Sequence, residues 1–275
     1  MTDIAQKYRR LLAGIAANKS AAVAFSGGVD SSFLCYAASK ALGNNAAAIT
    51  IVSPMLPQSE IADAVKVARQ LGITHILVAE ETIDEAVAAN PRDRCYYCKK
   101  IEFGRIVDEA KKRGIQTVFD GSNSDDPHDY RPGLKALAEL RISSPLRDAG
   151  LHKNEIRALS KQYNLPTWNK PAFACLASRI PYGETINREK LSRVEKGEDY
   201  LRSLGFVQFR LRSHERLARI EAAREERRKL FDEKLLDDIS RTLKSFGFIY
   251  VAFELEGYVM GSMNREVPVI ENPAL

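Results

Sequence analysis

The stretch Ser26-Gly27-Gly28-Val29-Asp30-Ser31-Ser32 decides the fold of the N-terminal part of this chain. It follows the apolar run AAVAF at 21–25, which predicts a strand, and it precedes an amphipathic segment that starts at Phe33. A strand that turns on two glycines into a helix N-terminus leaves backbone N–H groups unpaired, and the helix dipole adds partial positive charge there. The stretch therefore predicts a binding site for phosphate or pyrophosphate.

This stretch differs from the two common glycine-rich nucleotide loops, because it has neither the Gly-Lys-Ser/Thr of Walker A nor the pattern G-x-G-x-x-G. It resembles the PP-loop, SGGxDS, of enzymes that split ATP between its α and β phosphates. The resemblance implies that phosphate is bound by Ser26, Gly27, Gly28, Ser31 and Ser32. It also places Asp30 near Mg²⁺, which takes carboxylate and phosphate oxygens. The alternative is a glycine turn in which Asp and Ser cap a helix.

The composition is that of a globular protein. At 275 residues, 45% of them hydrophobic, the chain suffices for two modest domains or one large one. The 41 basic and 36 acidic residues leave a net charge of +5, which suits a small anionic substrate and permits RNA without requiring it. The sequence has neither a basic leader before an apolar stretch nor an apolar run of membrane-spanning length, so we expect a cytoplasmic protein without a membrane partner.

Strand and helix patterns alternate after the glycine loop. Strands are predicted at 46–52, 74–78 and 118–121, and a helix is predicted at 58–71. This alternation predicts an α/β fold with a doubly wound parallel sheet, whose ligands bind at the carboxyl ends of the strands. The glycine loop and Asp120-Gly121 both fall at that edge.

The C-terminal part predicts a smaller α+β domain. After a helix at 153–163, prolines punctuate an extended segment around Trp168 and Cys175, which we interpret as the domain junction. The patterns beyond it predict helices at 188–204 and 224–246 and strands at 206–211, 217–220 and 248–255. We expect a nucleotide domain at 1–170 and a substrate and sulfur-transfer domain at 171–275.

Four cysteines in such a chain do not indicate a disulfide framework. Cys95 and Cys98 form a C-x-x-C pair at the start of a predicted helix and can share a metal or cluster or form a redox disulfide. The pair is half a zinc site, and no second C-x-x-C or H-x-x-x-H completes it. With Cys175 the pair can hold an iron–sulfur cluster with one open iron, although Cys175 can equally be a small buried residue. Cys35 is predicted to lie in the core.

Seven motifs, taken in order, resemble the LarE family of ATP-dependent sulfur transferases, which build the nickel-pincer nucleotide cofactor of lactate racemase. They are SGGVDS at 26–31, CYYCKK at 95–100, DGSNSDD at 120–126, DYRPGLK at 129–135, WNKPA at 168–172, SRIPYG at 178–183 and YLRSLGF at 200–206. The resemblance implies a PP-loop fold of the adenine nucleotide α-hydrolase type. The substrate it implies is a pyridinium mononucleotide with two carboxylates, one of which attacks ATP to give an acyl-adenylate and pyrophosphate. Sulfur then replaces AMP and leaves a thiocarboxylate.

The resemblance implies two sources for that sulfur. Family members with three cysteines resemble enzymes in which a [4Fe–4S] cluster carries an extra sulfide, and Cys95, Cys98 and Cys175 would be the cluster ligands here. In sacrificial members a single cysteine gives up its own sulfur and becomes dehydroalanine, which is the alternative role of Cys175. We favour the cluster, because the sacrificial members lack the C-x-x-C pair.

Charged residues beside these motifs complete the predicted site. Arg210 and Arg212 alternate on a predicted strand and suit the phosphate of the substrate mononucleotide, or else form a solvated basic face. Lys99 and Arg179 follow the cysteine segments and are expected to neutralise nucleotide or acyl-phosphate charge. Glu198, with Glu221, matches acidic positions near the family's sulfur site, as a metal ligand or a base.

Three other functions compete with this prediction. PP-loop proteins with a C-x-x-C pair and a third cysteine also thiolate tRNA, but the paired zinc-finger cysteines and the basic, aromatic-rich extension of such proteins are missing from the sequence. An ammonia-using synthetase would leave the C-x-x-C pair unexplained. A nucleotide-binding partner would use the loop without turnover. We expect a homo-oligomeric enzyme with a small-molecule substrate and no nucleic-acid partner.

Overall fold

The structure is a computed structural model that describes residues 3–125, 133–171 and 174–259. The chain folds as two compact units. Unit 1 consists of Met1–Ile83 and Asp93–Phe173, and unit 2 of Asp84–Arg92 and Ala174–Leu275. A nine-residue segment from the N-terminal half of the chain thus belongs to the C-terminal unit. The assignment of nucleotide chemistry to 1–170 and of substrate and sulfur transfer to 171–275 stays a prediction.

The described helices and strands alternate along unit 1 and then continue through unit 2. The helices are α1 (Asp3–Ala16), α2 (Val29–Leu42), α3 (Gln58–Leu71), α4 (Glu85–Ala88), α5 (Arg94–Lys112), α6 (Gly133–Glu139), α7 (Pro145–Asp148), α8 (Lys153–Gln162), α9 (Arg188–Ser203) and α10 (Glu233–Ser245). The strands are β1 (Ala21–Ala24), β2 (Ala46–Val52), β3 (Thr74–Ala79), β4 (Thr117–Phe119), β5 (Phe209–His214), β6 (Leu217–Ala222) and β7 (Tyr250–Phe253).

The described strands of unit 1 form a parallel sheet in the order β3-β2-β1-β4. Ala21 pairs with Ala46 on one side and with Thr117 on the other, so β1 is central. The chain winds outward from β1 to β3 and then returns to the other side of β1, which makes the gap between β1 and β4 the topological switch point. Ligands bind there in open α/β sheets. The doubly wound parallel sheet predicted from the sequence is confirmed.

Alternation along the strands places both faces of this sheet in a core. Ala21 and Val23 of β1 pack into one apolar cluster, while Ala22 packs into the other. In β2, Ala48 belongs to the first cluster and Ile49 to the second. A strand that is buried on both faces has a continuous run of apolar residues, and these strands could therefore be predicted from the sequence.

Most predicted elements of unit 1 agree with the structure. The strand at 46–52 and the helix at 58–71 are confirmed, and the strand predicted at 74–78 is one residue longer. The predicted fourth strand ends at Phe119 rather than at Gly121, because Asp120 and Gly121 already belong to the polar loop. Cys35 is buried in α2, as predicted, and burial raises the pKa of its thiol.

Unit 2 contains a smaller mixed sheet in the order β5-β6-β7. Strand β5 pairs antiparallel with β6, and β6 pairs parallel with β7. Helices α9 and α10 cover its apolar face through residues that include Leu201 and Leu243. The predicted α+β organisation is confirmed.

Four element predictions in unit 2 were wrong in their bounds. The strand predicted at 217–220 is β6, which runs to Ala222, and the one predicted at 248–255 is the shorter β7 (Tyr250–Phe253). The helix predicted at 224–246 is divided into a 3₁₀ turn, Arg227–Phe231, and α10, which starts where the Asp232 side chain accepts a hydrogen bond from Leu235 N at 3.0 Å. The strand predicted at 206–211 is β5, which starts later and runs to His214. In the described residues, helices are too short or too polar to cross a membrane.

Candidate functional site

The glycine loop of unit 1 has the geometry of an anion site. Strand β1 ends at Ala24 and α2 begins at Val29, with Gly28 at the N-cap position, where no side chain caps the first turn. Gly27 has a φ of +70°, and a Cβ added there would lie 3.0 Å from the Cα of Ala64. Glycine at 27 therefore permits both the left-handed turn and the close approach of α3. The first-turn N–H groups of α2 are left to face a ligand.

Serine hydroxyls converge on the same loop. Ser31 Oγ donates to Gly28 O at 3.3 Å and accepts from Ser26 N at 3.3 Å, and the two serine Oγ atoms lie 3.1 Å apart. Ser32 Oγ is buried and has no hydrogen-bond partner within the described part of the chain. The hydroxyls of the motif are thus internal to the loop or buried under it. Their phosphate-binding role stays a prediction.

Asp30 forms an ion pair with Lys153, the first residue of α8. Both side chains are partly exposed, which leaves them accessible to a ligand. The sequence analysis missed Lys153, which lies 123 residues from Asp30 and belongs to none of the motifs. A carboxylate is a group that Mg²⁺ binds, and an ammonium group pairs with phosphate oxygens, so this loop carries the chemical groups that the sequence-based prediction requires.

The loop after β4 lies against the glycine loop. A Cβ added at Gly121 would lie 3.3 Å from Ser31 N, so a larger residue there would crowd the close approach of the two backbones. Asp120 is buried, and its carboxylate accepts from Ser144 Oγ at 2.5 Å and from Ser122 N at 3.1 Å. Asp120 is therefore occupied within the loop and holds its shape.

Asp125 connects this loop to α8. Its Oδ2 accepts from Lys153 N at 2.8 Å, and its Oδ1 lies 2.6 Å from His152 Nδ1. The DGSNSDD motif thus fixes the start of the helix that carries Lys153. The continuation of that motif region, with Asp129 and Arg131, lies outside the described residues.

The C-x-x-C pair occupies the start of α5, as predicted. Cys95 is exposed and Cys98 is partly buried, and their spacing of three places them on the same side of the helix. Cys98 Sγ donates to Glu102 Oε1 at 3.4 Å, and burial raises the pKa of that carboxyl. The two thiols can act together on one partner.

Lys99 is packed by its surroundings in unit 1. Its Nζ lies 5.2 Å from the centre of the Phe103 ring, and a Cβ added at Gly133 would lie 2.6 Å from Lys99 Cδ. On the same helix, Lys100 Nζ and Tyr96 OH, four residues apart, donate to Glu139 at 2.9 and 2.8 Å. Helix α6 is therefore held against the cysteine-bearing helix.

In unit 2, Cys175 precedes the 3₁₀ turn Leu176–Arg179 and is partly buried. Arg179 is fully buried, and its Nε and Nη2 donate to the two carboxylate oxygens of Glu198 at 2.9 and 3.0 Å. Its Nη1 donates to Ala174 O at 2.6 Å and to Cys175 O at 3.0 Å. Arg179 and Glu198, predicted as catalytic residues, thus meet each other at the backbone of Cys175.

Arg210 and Arg212 differ in their surroundings although they share a strand. Arg212 donates through Nη1 to Ser178 O at 2.9 Å and through Nη2 to Glu221 at 2.7 Å. Arg210 makes one hydrogen bond among the described residues, to Phe209 O, and stacks over the Tyr258 ring at 5.0 Å. Burial, with the neighbouring Arg179 and Arg212, lowers the pKa of Arg210. This concentration of cations makes Arg210 the better candidate for binding phosphate.

The cysteines predicted to bind a cluster are divided between the units, with Cys95 and Cys98 in unit 1 and Cys175 in unit 2. Within the described ranges, no group of three or more His, Cys, Asp or Glu residues is arranged to hold a metal. The ligand set of the cluster therefore stays a prediction, as do the catalytic roles of the other residues.

The N-terminal region matches a known family. Residues 14–170, more than half of the chain, match the model of the asparagine synthase family. The match contains the glycine loop, the parallel sheet and Lys153.

Curated relatives match nearly the whole chain. An uncharacterized protein of Synechocystis sp. is 45% identical over 89% of this chain and 92% of its own length. The pyridinium-3,5-bisthiocarboxylic acid mononucleotide synthase of Lactiplantibacillus plantarum is 36% identical over 96% of both chains. An uncharacterized protein of Methanocaldococcus jannaschii is 31% identical over 88% of this chain and 91% of its own. The similarity therefore extends over both units.

Proposed function

The chain belongs to the LarE family, that of pyridinium-3,5-bisthiocarboxylic acid mononucleotide synthase, and on this premise we propose that it is an ATP-dependent sulfur transferase. The proposed substrate is a pyridinium biscarboxylate mononucleotide, and the product a thiocarboxylate for nickel-pincer cofactor synthesis. The observation that carries the proposal is 36% identity over 96% of both chains, together with an intact glycine loop at the switch point of the sheet. We further propose that the protein is a cytoplasmic homo-oligomer and that its substrate is a small molecule.

The first step activates the carboxylate in unit 1. A substrate carboxylate oxygen bonds to the α phosphorus of ATP, the bond from that phosphorus to the bridging oxygen breaks, and pyrophosphate leaves with the electron pair. The N–H groups of the loop and the Lys153 ammonium supply positive charge where the pyrophosphate charge develops. Asp30 fits a magnesium ion, since Mg²⁺ is usually bound by one or two carboxylates plus phosphate oxygens. Nucleotide phosphates would compete with Asp30 for Lys153.

The second step replaces AMP by sulfur. A sulfur nucleophile bonds to the acyl carbon, the bond from that carbon to the AMP oxygen breaks, and AMP leaves with the electron pair. In unit 2, Arg210 is proposed to bind the phosphate of the mononucleotide. Its stacking on Tyr258 and its limited internal hydrogen bonding support this role.

The proposed sulfur donor is a [4Fe–4S] cluster, which Cys95, Cys98 and Cys175 would hold and which would supply an exchangeable sulfide. The same-side placement of Cys95 and Cys98 at the start of α5 supports it. The alternative is sacrificial transfer from Cys175. There the thiolate displaces AMP, a base removes the α-proton of the cysteine, and the Cβ–S bond breaks to leave dehydroalanine and the thiocarboxylate.

Anaerobic purification with iron and sulfide analysis, followed by reaction with ATP, the pyridinium biscarboxylate mononucleotide and added sulfide, tests the proposal. We expect pyrophosphate, AMP and thiocarboxylate over many turnovers, and an iron-containing protein. An iron-free protein that loses the mass of H₂S at Cys175 would establish the sacrificial route. Absence of pyrophosphate release would exclude the enzyme, and sulfur incorporated into tRNA instead would identify a tRNA-thiolating enzyme.

A further inference from the structure

Two arginines of unit 2 donate hydrogen bonds to the backbone carbonyls of one short turn. The cysteine turn, residues 174–179, starts with Ala174 and Cys175, whose carbonyls accept from Arg179 Nη1. The carbonyl of Ser178 accepts from Arg212 Nη1 at 2.9 Å. Carbonyls of a 3₁₀ turn at a surface are usually satisfied by water or a neighbouring amide. Two arginines hold these carbonyls instead.

Both arginines are fixed in turn by buried carboxylates. Glu198 of α9 receives Nε and Nη2 of Arg179, and its Oε1 also accepts from Leu211 N at 3.2 Å. Glu221 of β6 receives Arg212 at 2.7 Å. The cysteine turn is therefore tied to a helix and two strands of the same unit, independently of its own short hydrogen bonds.

This arrangement makes a poor stabiliser. The attraction within a buried ion pair often fails to offset the free energy lost when both charges leave water. Apolar residues of the same volume often stabilise a fold at least as well. Arg179 is fully buried and Glu198 nearly so. What the pair provides is a fixed bidentate geometry, and what that geometry fixes is the backbone beside Cys175, whose side chain retains solvent access.

We infer that Arg179 is a positioning residue, which with Glu198 holds the Cys175 backbone in the geometry for sulfur transfer, and does not itself neutralise the acyl-phosphate. The inference rests on the proposed function, in which Cys175 takes part in sulfur transfer as a cluster ligand or as the donor. In the structure, Nε, Nη1 and Nη2 of Arg179 all donate to protein acceptors, and the side chain has no solvent-exposed surface. Its guanidinium can contact a substrate directly only if one of these hydrogen bonds breaks.

Arg179→Lys separates the two roles. A charge-neutralising residue tolerates lysine, whereas an ammonium group cannot bind both Glu198 oxygens and the turn carbonyls in a planar fork. We expect thiocarboxylate formation to fall about 100-fold, the effect of a misplacement near 1 Å. Pyrophosphate release in the first turnover and the KM for ATP stay unchanged, because Arg179 donates to Glu198 and to the cysteine turn and does not hold the loop that binds ATP. Lys190→Arg is the matched control, because Lys190 is a buried cation of unit 2 that pairs with Glu184 and Glu215. We expect this variant to transfer sulfur at the wild-type rate.

A second readout does not depend on turnover. In Arg179→Lys the iodoacetamide alkylation rate of Cys175, followed by peptide mass, and amide hydrogen exchange over 175–180 should both rise at least about tenfold, since local opening of the turn costs less. In the iron-free protein, alkylation of Cys95, which lies in unit 1, should stay at the wild-type rate. If wild type itself releases no pyrophosphate, the proposed function fails, while this readout still decides the positioning role.

Sulfur transfer at the wild-type rate in Arg179→Lys, or an equal loss in Lys190→Arg, would overturn the inference. Where Arg179→Lys does not fold, Ser178→Ala takes its place, since Ser178 Oγ donates to Cys175 O at 2.8 Å and accepts from Arg179 Nη1 at 2.9 Å. We expect that variant to lose about tenfold in sulfur transfer, in proportion to one lost hydrogen bond of about 1.4 kcal/mol. Wild-type transfer in Ser178→Ala would also count against the role.

Discussion

Lys153 adds to the glycine loop a positive charge that the loop sequence does not contain. Its ammonium pairs with Asp30 at the first turn of α2, and its backbone N–H is fixed by Asp125. In the proposed mechanism, this cation neutralises the carboxylate before nucleotide binds and is available to pyrophosphate afterwards. The loop therefore works with a partner from a distant helix.

Replacing Lys153 by methionine should lower the rate of pyrophosphate release about 10²- to 10³-fold, the usual cost of removing one preorganised donor to developing charge. Lys153→Arg should retain part of the rate, because the charge remains. Lys161→Met is the control on the same helix, since the Lys161 ammonium lies over the Trp168 ring. Undiminished release in Lys153→Met would remove this residue from the activating step.

His75 makes the stability of unit 1 depend on pH. Its Nε2 lies 2.8 Å from Thr50 Oγ1, which itself donates to Phe25 O at 2.6 Å, and burial lowers the pKa of the imidazole. A histidine whose pKa is lowered in the folded state contributes stability at neutral pH and loses it on acidification below about pH 6.5. Because Thr50 donates its proton to Phe25, Nε2 of His75 carries the hydrogen toward Thr50.

Urea unfolding of wild type and of His75→Gln at pH 7.5 and 5.5 measures this contribution. The glutamine keeps a donor for Thr50 and has no titrating group. We expect the free energy of unfolding to fall more steeply with acid in wild type than in the variant. Parallel falls in the two proteins would show that other groups cause the acid loss.

At the scale of elements, Gly197 decides how closely α9 approaches β5. A Cβ added there would lie 2.2 Å from Leu211 Cδ2 and 3.0 Å from Leu243 Cδ2. Both neighbours belong to the buried core of unit 2, so they have little space to move. The approach brings Glu198, the next residue on α9, within reach of Leu211 N and Arg179. One glycine thus positions the carboxylate that holds the cysteine turn.

Gly197→Ala should therefore destabilise unit 2 by about 1–3 kcal/mol through overpacking, in spite of the better helix propensity of alanine. The control is Gly104→Ala in α5, where an added Cβ has nothing within 4 Å, and this variant should gain about 0.5–1 kcal/mol. Denaturant midpoints of both variants measure these effects. Stabilisation by both substitutions would contradict the close approach.

At the scale of the whole molecule, the segment 84–92 shows that chain order and compact units differ. Asn90 is buried, and its Nδ2 donates to Pro181 O at 2.6 Å and to Glu184 O at 3.1 Å. Ala88 O accepts from Ile186 N at 2.8 Å. A segment that follows β3 in sequence therefore finds its hydrogen bonds more than 90 residues later, in unit 2.

A fragment of residues 1–173 tests this division. In it, the Asn90 amide loses its acceptors Pro181 O and Glu184 O and is hydrated instead, so the segment adds no stabilising contact to unit 1. We expect the plain fragment to melt at no higher a temperature than the same fragment with 84–92 replaced by nine glycine and serine residues. A plain fragment that is the more stable of the two would place the segment with unit 1 instead.

The sequence by itself determined the local chemistry of this protein and the class of its fold. Buried strands show as apolar runs, the turn at 26–32 needs glycines and leaves N–H groups at a helix N-terminus, and the cysteine spacing places both thiols on one side of α5. These features depend on residues within a few positions of one another. For that reason the parallel sheet, the ATP loop and the C-terminal α+β unit could all be predicted, whereas the exact starts of β5 and α10 depended on a cap and on pairing with a neighbouring strand.

Only the tertiary structure decided which distant charges meet. Lys153 reaches Asp30 across 123 residues, Arg179 is enclosed by Glu198 at the Cys175 backbone, and Asn90 joins unit 2. No periodicity or motif records such pairs, because they arise from the order in which strands and helices pack and from the need of each buried polar group for a partner. The sequence therefore predicted an ATP site with cysteines, while the fold enclosed Arg179, which the sequence had placed in the chemistry, between Glu198 and the Cys175 backbone.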